Sequence, residues 1–256
     1  MNGLTVFYKK EWLETVRTGR LFILILLFAL FGIMNPAIAK LTPWMMEMLA
    51  DTMAESGLLV VDIQVDAMTS WTQFFKNIPI ALIAFVLIYS DIFTREYQSG
   101  TLLLILTKGL PRYKVVLAKT GLMLSLWTFG YWLCFFITYG YNAYYWDNGI
   151  ADNLLPAAII WWLFGVWTVS LIVICSALLQ NNAGVIMSTG GTVLLTYLIS
   201  MIPKARAYMP MILTNTAPLL SGAEGMGVYT KAVIVTGVLS IVCIVGSIPI
   251  FDKKPL

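Results

Sequence analysis

Apolar positions along this chain gather into six long blocks, 21–39, 75–93, 115–138, 156–179, 185–202 and 231–251, separated by short polar intervals. A hydrocarbon core about 30 Å thick needs about 20 mostly apolar residues per helix, because every backbone polar group must be satisfied inside the segment. The pattern predicts an all-α membrane protein with six transmembrane helices in one domain over 1–256. Aromatic residues continue the third block to Trp146, so that helix is expected to run long.

The polar intervals carry patterns of their own. Over 1–20, Leu4, Tyr8, Trp12 and Val16 recur every four residues, and Lys9, Lys10, Glu14, Arg17 and Arg20 spread over the other side. This predicts an amphipathic helix lying in the headgroup layer, with Tyr8, Trp12 and Arg17 as its characteristic residues. Phe7 and Leu13 fall off the stripe, and Arg17, Gly19 and Arg20 mark the bend into the first span.

The interval 94–112 differs. Leu102, Leu103, Leu104, Ile105 and Leu106 stand between Arg95, Glu96 and Gln98 on one side and Lys108, Arg112 and Lys114 on the other. Too short to cross a bilayer and too apolar for a solvated loop, the run predicts a two-turn helix. Gly100 and Thr101 start it, and Gly109, Leu110 and Pro111 stop it. It is apolar on all sides, so it needs a protein partner; each such side chain buried contributes about 1.5–3 kcal/mol before ordering costs.

Two other intervals are longer. Lys40 to Thr72, with Met45, Met46 and Met48 beside five acids, predicts a helical hairpin or lid, its methionines filling gaps rather than binding metal. The stretch 203–230 carries Pro203, Pro210 and Pro218 among apolar patches and predicts short helices dipping into the outer leaflet.

Composition agrees with the blocks: 59% hydrophobic and 11% charged residues, with mean hydropathy +0.84, cannot clothe a soluble domain of this size. Charge then sets orientation. Eleven basic residues, Lys9, Lys10, Arg17, Arg20, Arg95, Lys108, Arg112, Lys114, Lys119, Lys253 and Lys254, flank one face; five, Lys40, Lys76, Lys204, Arg206 and Lys231, flank the other. The excess predicts cytoplasmic termini. A polar segment of about 20 residues before a span-length first block does not fit a cleavable signal peptide.

Candidate chemistry is sparse. There is no His, and Cys134, Cys175 and Cys243 fall inside predicted spans without metal-ligand spacing, so no metal site and no catalytic residue is expected. Spans nearly free of charge disfavour proton- or ion-coupled transport. Asp91, four residues before Arg95, is expected to pair with it. No G-x-x-x-x-G-K-[ST] loop exists, so the chain is not expected to bind ATP.

The stretch "EYQSGTLLLILTKGLPRYKVVLAK" resembles the cytoplasmic signature of type-2 ABC exporter permeases, with Glu96, Gly100, Thr101, Pro111, Arg112 and Lys119 at the matching positions. Leu110 before Pro111 and Tyr113 after Arg112 make the turn a variant. The resemblance implies a plasma-membrane permease whose segment 94–112 couples to a separate ATPase, which binds ATP and Mg. Coupling residues would be Glu96, Gly100, Thr101, Leu102, Leu103, Ile105, Leu106, Pro111 and Arg112. It also implies a second permease subunit, identical or related, meeting the first and fifth spans.

Cargo is less legible. The aromatics Trp132, Phe136, Tyr139 and Trp161 either line a path for an amphipathic peptide, a lipid-like molecule or a hydrophobic drug, or form interfacial belts and packing. Gly121 and Ser125 in the third span, Gly184, Ser188, Gly191 and Thr192 in the fifth, and Gly237, Ser240 and Gly246 in the sixth mark close helix contacts. A membrane-embedded lipid-modifying enzyme or an assembly scaffold is the competing reading; against the enzyme stands the absence of paired intramembrane carboxylates.

Overall fold

A computed structural model describes residues 3–55, 65–101, 107 and 109–254, without the side chains of 49–55. The helices are α1 (Gly3–Arg17), α2 (Arg20–Glu55), α3 (Ala67–Tyr89), α4 (Thr94–Gln98), α5 (Arg112–Tyr145), α6 (Leu154–Leu178), α7 (Asn182–Ser200), α8 (Pro203–Arg206), α9 (Ala217–Leu220) and α10 (Thr230–Asp252). No strand occurs among the described residues. Six helices, α2, α3, α5, α6, α7 and α10, are long and apolar enough to span a membrane.

The first span departs most from its predicted bounds. Helix α2 does not end near Ala39 but continues through Pro36 and Pro43 to Glu55. Proline has no N–H, so Pro36 leaves the Gly32 carbonyl without its helical donor. The Thr138 hydroxyl of α5 donates to that carbonyl at 3.0 Å and so replaces the missing bond. Asn35 donates to the same hydroxyl at 3.4 Å and accepts from Asn77 at 2.9 Å, which draws α3 into the contact. A Cβ on Gly32 would lie 2.9 Å from Cβ of Ile137, so only glycine permits this approach of α2 to α5.

Extended in this way, α2 (36 residues) and α5 (34 residues) each measure about 50 Å, well beyond a 30 Å core. Their projecting ends meet where the Lys40 ammonium lies 3.7 Å from the Tyr145 ring centre. The 40–72 interval is therefore, in its described part, a continuation of α2 and the start of α3, which Asp66 caps by accepting from Thr69 N at 2.9 Å. Met45 and Met48 are exposed rather than gap-filling.

The core lies among α3, α5 and α6, where Trp71, Phe74, Phe85, Trp127, Tyr131 and Trp167 are buried. The interval 203–230 folds as α8, α9 and 3-10 turns at Pro210–Thr214 and Met226–Val228, with Leu213, Leu219 and Leu220 buried against the bundle. By contrast, α7 buries only Val185 and Thr189 and presents Leu194, Leu195 and Leu198 outward. Gly191 and Gly237, expected at close contacts, have no neighbouring atom within 4 Å of the point where a Cβ would stand. Ser240 is buried and a Cβ on Gly246 would stand 3.8 Å from Ile174, so the sixth-span face is filled on the inner side only.

Candidate functional site

The two flanks of the 94–112 interval lie at the end of the bundle that also holds α1. After α3, residues 90–93 turn the chain into α4, whose Glu96 is 7% exposed. Gly100 (φ +67°) and Gly109 (φ +85°) both adopt the left-handed conformation that glycine enters without a Cβ penalty. They bracket the predicted helix. Thr101 is exposed, with its hydroxyl 2.8 Å from Ser99 Oγ, and Pro111 is the extended N-cap of α5. Leu102, Leu103, Ile105 and Leu106 lie outside the described residues.

Glu96 belongs to a ring of alternating charges. Lys119 Nζ, on α5, is 2.9 Å from Glu11 Oε2 and 3.2 Å from Glu96 Oε2, and donates to the Ile92 carbonyl at 2.9 Å. Lys10 Nζ closes the ring at 2.8 Å from both Glu11 Oε1 and Glu96 Oε1, and reaches Glu14 at 3.0 Å. Arg95 approaches Glu14 at 3.8 Å. Three cations thus face three carboxylates. Glu11 (3% exposed) and Lys119 (1%) are nearly sealed from solvent, so neither charge is tolerable without the other.

Burial opposes the charge on Lys10, but hydrogen bonds and attraction from Glu11 and Glu96 outweigh it and push its pKa above the ordinary lysine value. Carboxylates of Glu11, Glu14 and Glu96 converge within 4.8 Å, a spacing that also suits a cation. Here lysine ammoniums already occupy the centre of the group, so the donor set is spent on them.

A second ion pair stands beside the first. Arg20 donates through both terminal nitrogens to Asp91, at 2.7 and 2.6 Å. The expected pairing of Asp91 with Arg95 does not form; Arg95 donates only its backbone N–H to the Asp91 carbonyl, at 2.8 Å. The cause is competition. Arg20 opens α2 alongside and takes both Asp91 oxygens, while the Arg95 guanidinium turns to Glu14.

Helix α1 also docks differently from its sequence pattern. Its inward line is Phe7, Glu11 and Thr15, one position behind the Leu4, Tyr8, Trp12 and Val16 stripe. Tyr8 turns onto α5, where its ring lies 3.6 Å from the Cβ position of Gly121 and its hydroxyl donates to Ser125 at 3.1 Å. Trp12, Val16 and Arg17 are exposed. Sequence reasoning missed Glu11. The available signal was its place four residues from both Phe7 and Thr15, the line that a helix buries when its carboxylate has a cation to meet.

The aromatic residues suggested for a path fall into two places. Trp132, Phe136 and Tyr139 sit along α5, with the Trp132 and Phe136 rings 5.8 Å apart and Phe136 and Tyr139 exposed. Trp161 is buried on α6, away from them, because its ring packs edge-on to Phe164 at 5.5 Å. It lines an apolar cavity of about 370 Å³ between α3, α6 and α7, together with Leu82, Val86, Thr189, Val193 and Met211. Its buried indole N–H has no hydrogen-bond partner among the described residues. A second cavity of about 480 Å³, lined by Tyr197, Arg206 and Asn215, shares Met211 and Thr214 with the first.

Among the described residues, six helices long and apolar enough to cross a membrane, with Glu96 held between α1 and α5 by buried charge, define a multi-pass helical membrane protein. The chain belongs to the ABC-2 family of transporter proteins, whose family model matches residues 5–222. It is a multi-pass membrane protein of that class. No curated protein and no solved structure matches it.

Proposed function

We propose that the chain is the permease subunit of an ATP-driven exporter in the plasma membrane, with both termini cytoplasmic, working with a separate ATPase subunit that binds ATP and Mg. The observation that carries this reading is the seating of Glu96. A force applied to the exposed residues 99–101 reaches a buried carboxylate held at once by Lys10 of α1 and Lys119 of α5. Such a contact has no soft degree of freedom to absorb the force, so displacement passes into the spans. ATP binding then favours one of two bundle packings, and transport follows from different cargo affinities of the two.

The cargo is amphipathic: a peptide first, then a lipid-like molecule or a hydrophobic drug. Support comes from the apolar cavity lined by Trp161, Leu82, Val86 and Met211, which suits a largely apolar ligand. A second permease subunit meets the apolar outward faces of α2 and α7, where Leu26, Leu30, Leu194 and Leu198 are exposed.

Purification in mild detergent tests the reading. The chain should retain a nucleotide-binding subunit whose ATPase activity depends on it. Leu103→Glu with Leu106→Glu should abolish that retention or dependence while leaving the permease folded. A chain that purifies without any such subunit, or leucine variants that stimulate it normally, would remove the proposal.

A further inference from the structure

The far flank of the same segment makes a connection that the charge ring does not. Arg112 opens α5, and its Nη1 donates to three carbonyl oxygens at the end of α10: Phe251 at 3.2 Å, Asp252 at 2.8 Å and Lys254 at 2.7 Å. Carbonyls in the last turn of a helix have no intrahelical donor, and a cation there also meets the negative end of the helix dipole. Lys254, 8% exposed, performs the same service for α6: its Nζ donates to the Ser176 and Leu179 carbonyls at 3.0 and 2.7 Å.

Both contacts return to α4. The Lys254 ammonium lies 4.2 Å from the centre of the Tyr97 ring, and the buried Phe251 ring packs against Tyr97 at 5.8 Å and Phe93 at 6.2 Å. Phe251 to Lys254 therefore joins α4, the start of α5, and the ends of α6 and α10. The bundle divides along the same line. Helices α1 and α2 pack chiefly on α5, whereas α10 packs chiefly on α6. Glu96 grips the first group, and Arg112 and Lys254 grip the second.

We infer that Arg112 and Lys254 are positioning residues that carry displacement of the 94–112 segment to the α6–α10 pair, a transmission route separate from the Glu96 ring. The inference rests on reading that segment as the ATPase contact. If the route exists, cutting it leaves α1 responsive to nucleotide and silences α6 and α10.

Hydrogen–deuterium exchange on the complex with its ATPase, in nanodiscs, with and without ATP and vanadate, distinguishes the outcomes. The wild-type complex should show a nucleotide-dependent change both in α1 and in the ends of α6 and α10. Arg112→Gln should keep the first and lose the second; Lys254→Gln serves should Arg112→Gln fail to fold, and should act alike. Change retained at both places in the variants overturns this route but leaves the Glu96 reading standing. A wild-type complex that hydrolyses ATP with no change at either place sinks both.

Discussion

Lys119 and Glu11 meet at 2.9 Å although 108 positions separate them, and both are buried. Their contact decides how α1 sits on the bundle, because Phe7 and Thr15 turn inward on the same line. Removing one partner strands the other's charge, which costs roughly 3–5 kcal/mol, more than the pair itself contributes. Lys119→Met should therefore lower the melting temperature in detergent sharply. Adding Glu11→Gln should recover part of the loss, since Glu96 keeps Lys10. Wild-type melting of the single variant would show that the ring is not closed as described.

Lys10 supplies a pH test. Its folded pKa is raised above the ordinary lysine value of 10.5, so native protein holds this proton more tightly than unfolded chain. The stabilisation is fully present below about 10.5 and is lost as pH rises through the higher folded value. The difference in melting temperature between wild type and Lys10→Met should stay constant from about pH 6 to 9 and shrink only in stronger alkali. A difference that collapses near neutrality would contradict the paired geometry.

Arg20 and Asp91 form a two-point contact that lysine cannot reproduce. Both side chains are about a quarter exposed, so solvent screens the pair and Arg20→Lys should cost on the order of 1 kcal/mol. The charge swap, Arg20→Asp with Asp91→Arg, should restore stability relative to either single change. Additive losses in that cycle would rule the pair out as a stabilising contact.

Thr138→Val removes the hydroxyl that serves Gly32 while keeping side-chain shape. Polar contacts between helices in a membrane contribute roughly 0.6–1.7 kcal/mol, and the upper value is expected because Asn35 loses an acceptor at the same time. Unfolding in mixed micelles measures it. An unchanged stability would mean that Gly32 finds another donor.

These contacts mark where sequence reasoning succeeded and where it stopped. Six spans were legible because length and hydropathy are local properties, and Gly100 and Gly109 announced their turns because positive φ is a demand on one residue. The end of α2 was not legible. The apolar block stops at Lys40, and Thr138, which serves the carbonyl freed by Pro36, lies on a different helix. Partners of Asp91 and Glu11 were hidden for the same reason: an ion pair across 71 or 108 positions leaves no periodicity to detect. Trp161 joined the other aromatics in composition only, since the helix face it occupies depends on how α6 packs against α3 and α7.

The seat of α1 is assembled from residues made much later, Glu96 on α4 and Lys119 on α5. During synthesis the Glu11 carboxylate has no buried cation to join until the third span has entered the bilayer, so the first helix to emerge is among the last to settle. Nascent chains arrested before Lys119 should leave α1 open to protease, and slightly longer ones should shield it.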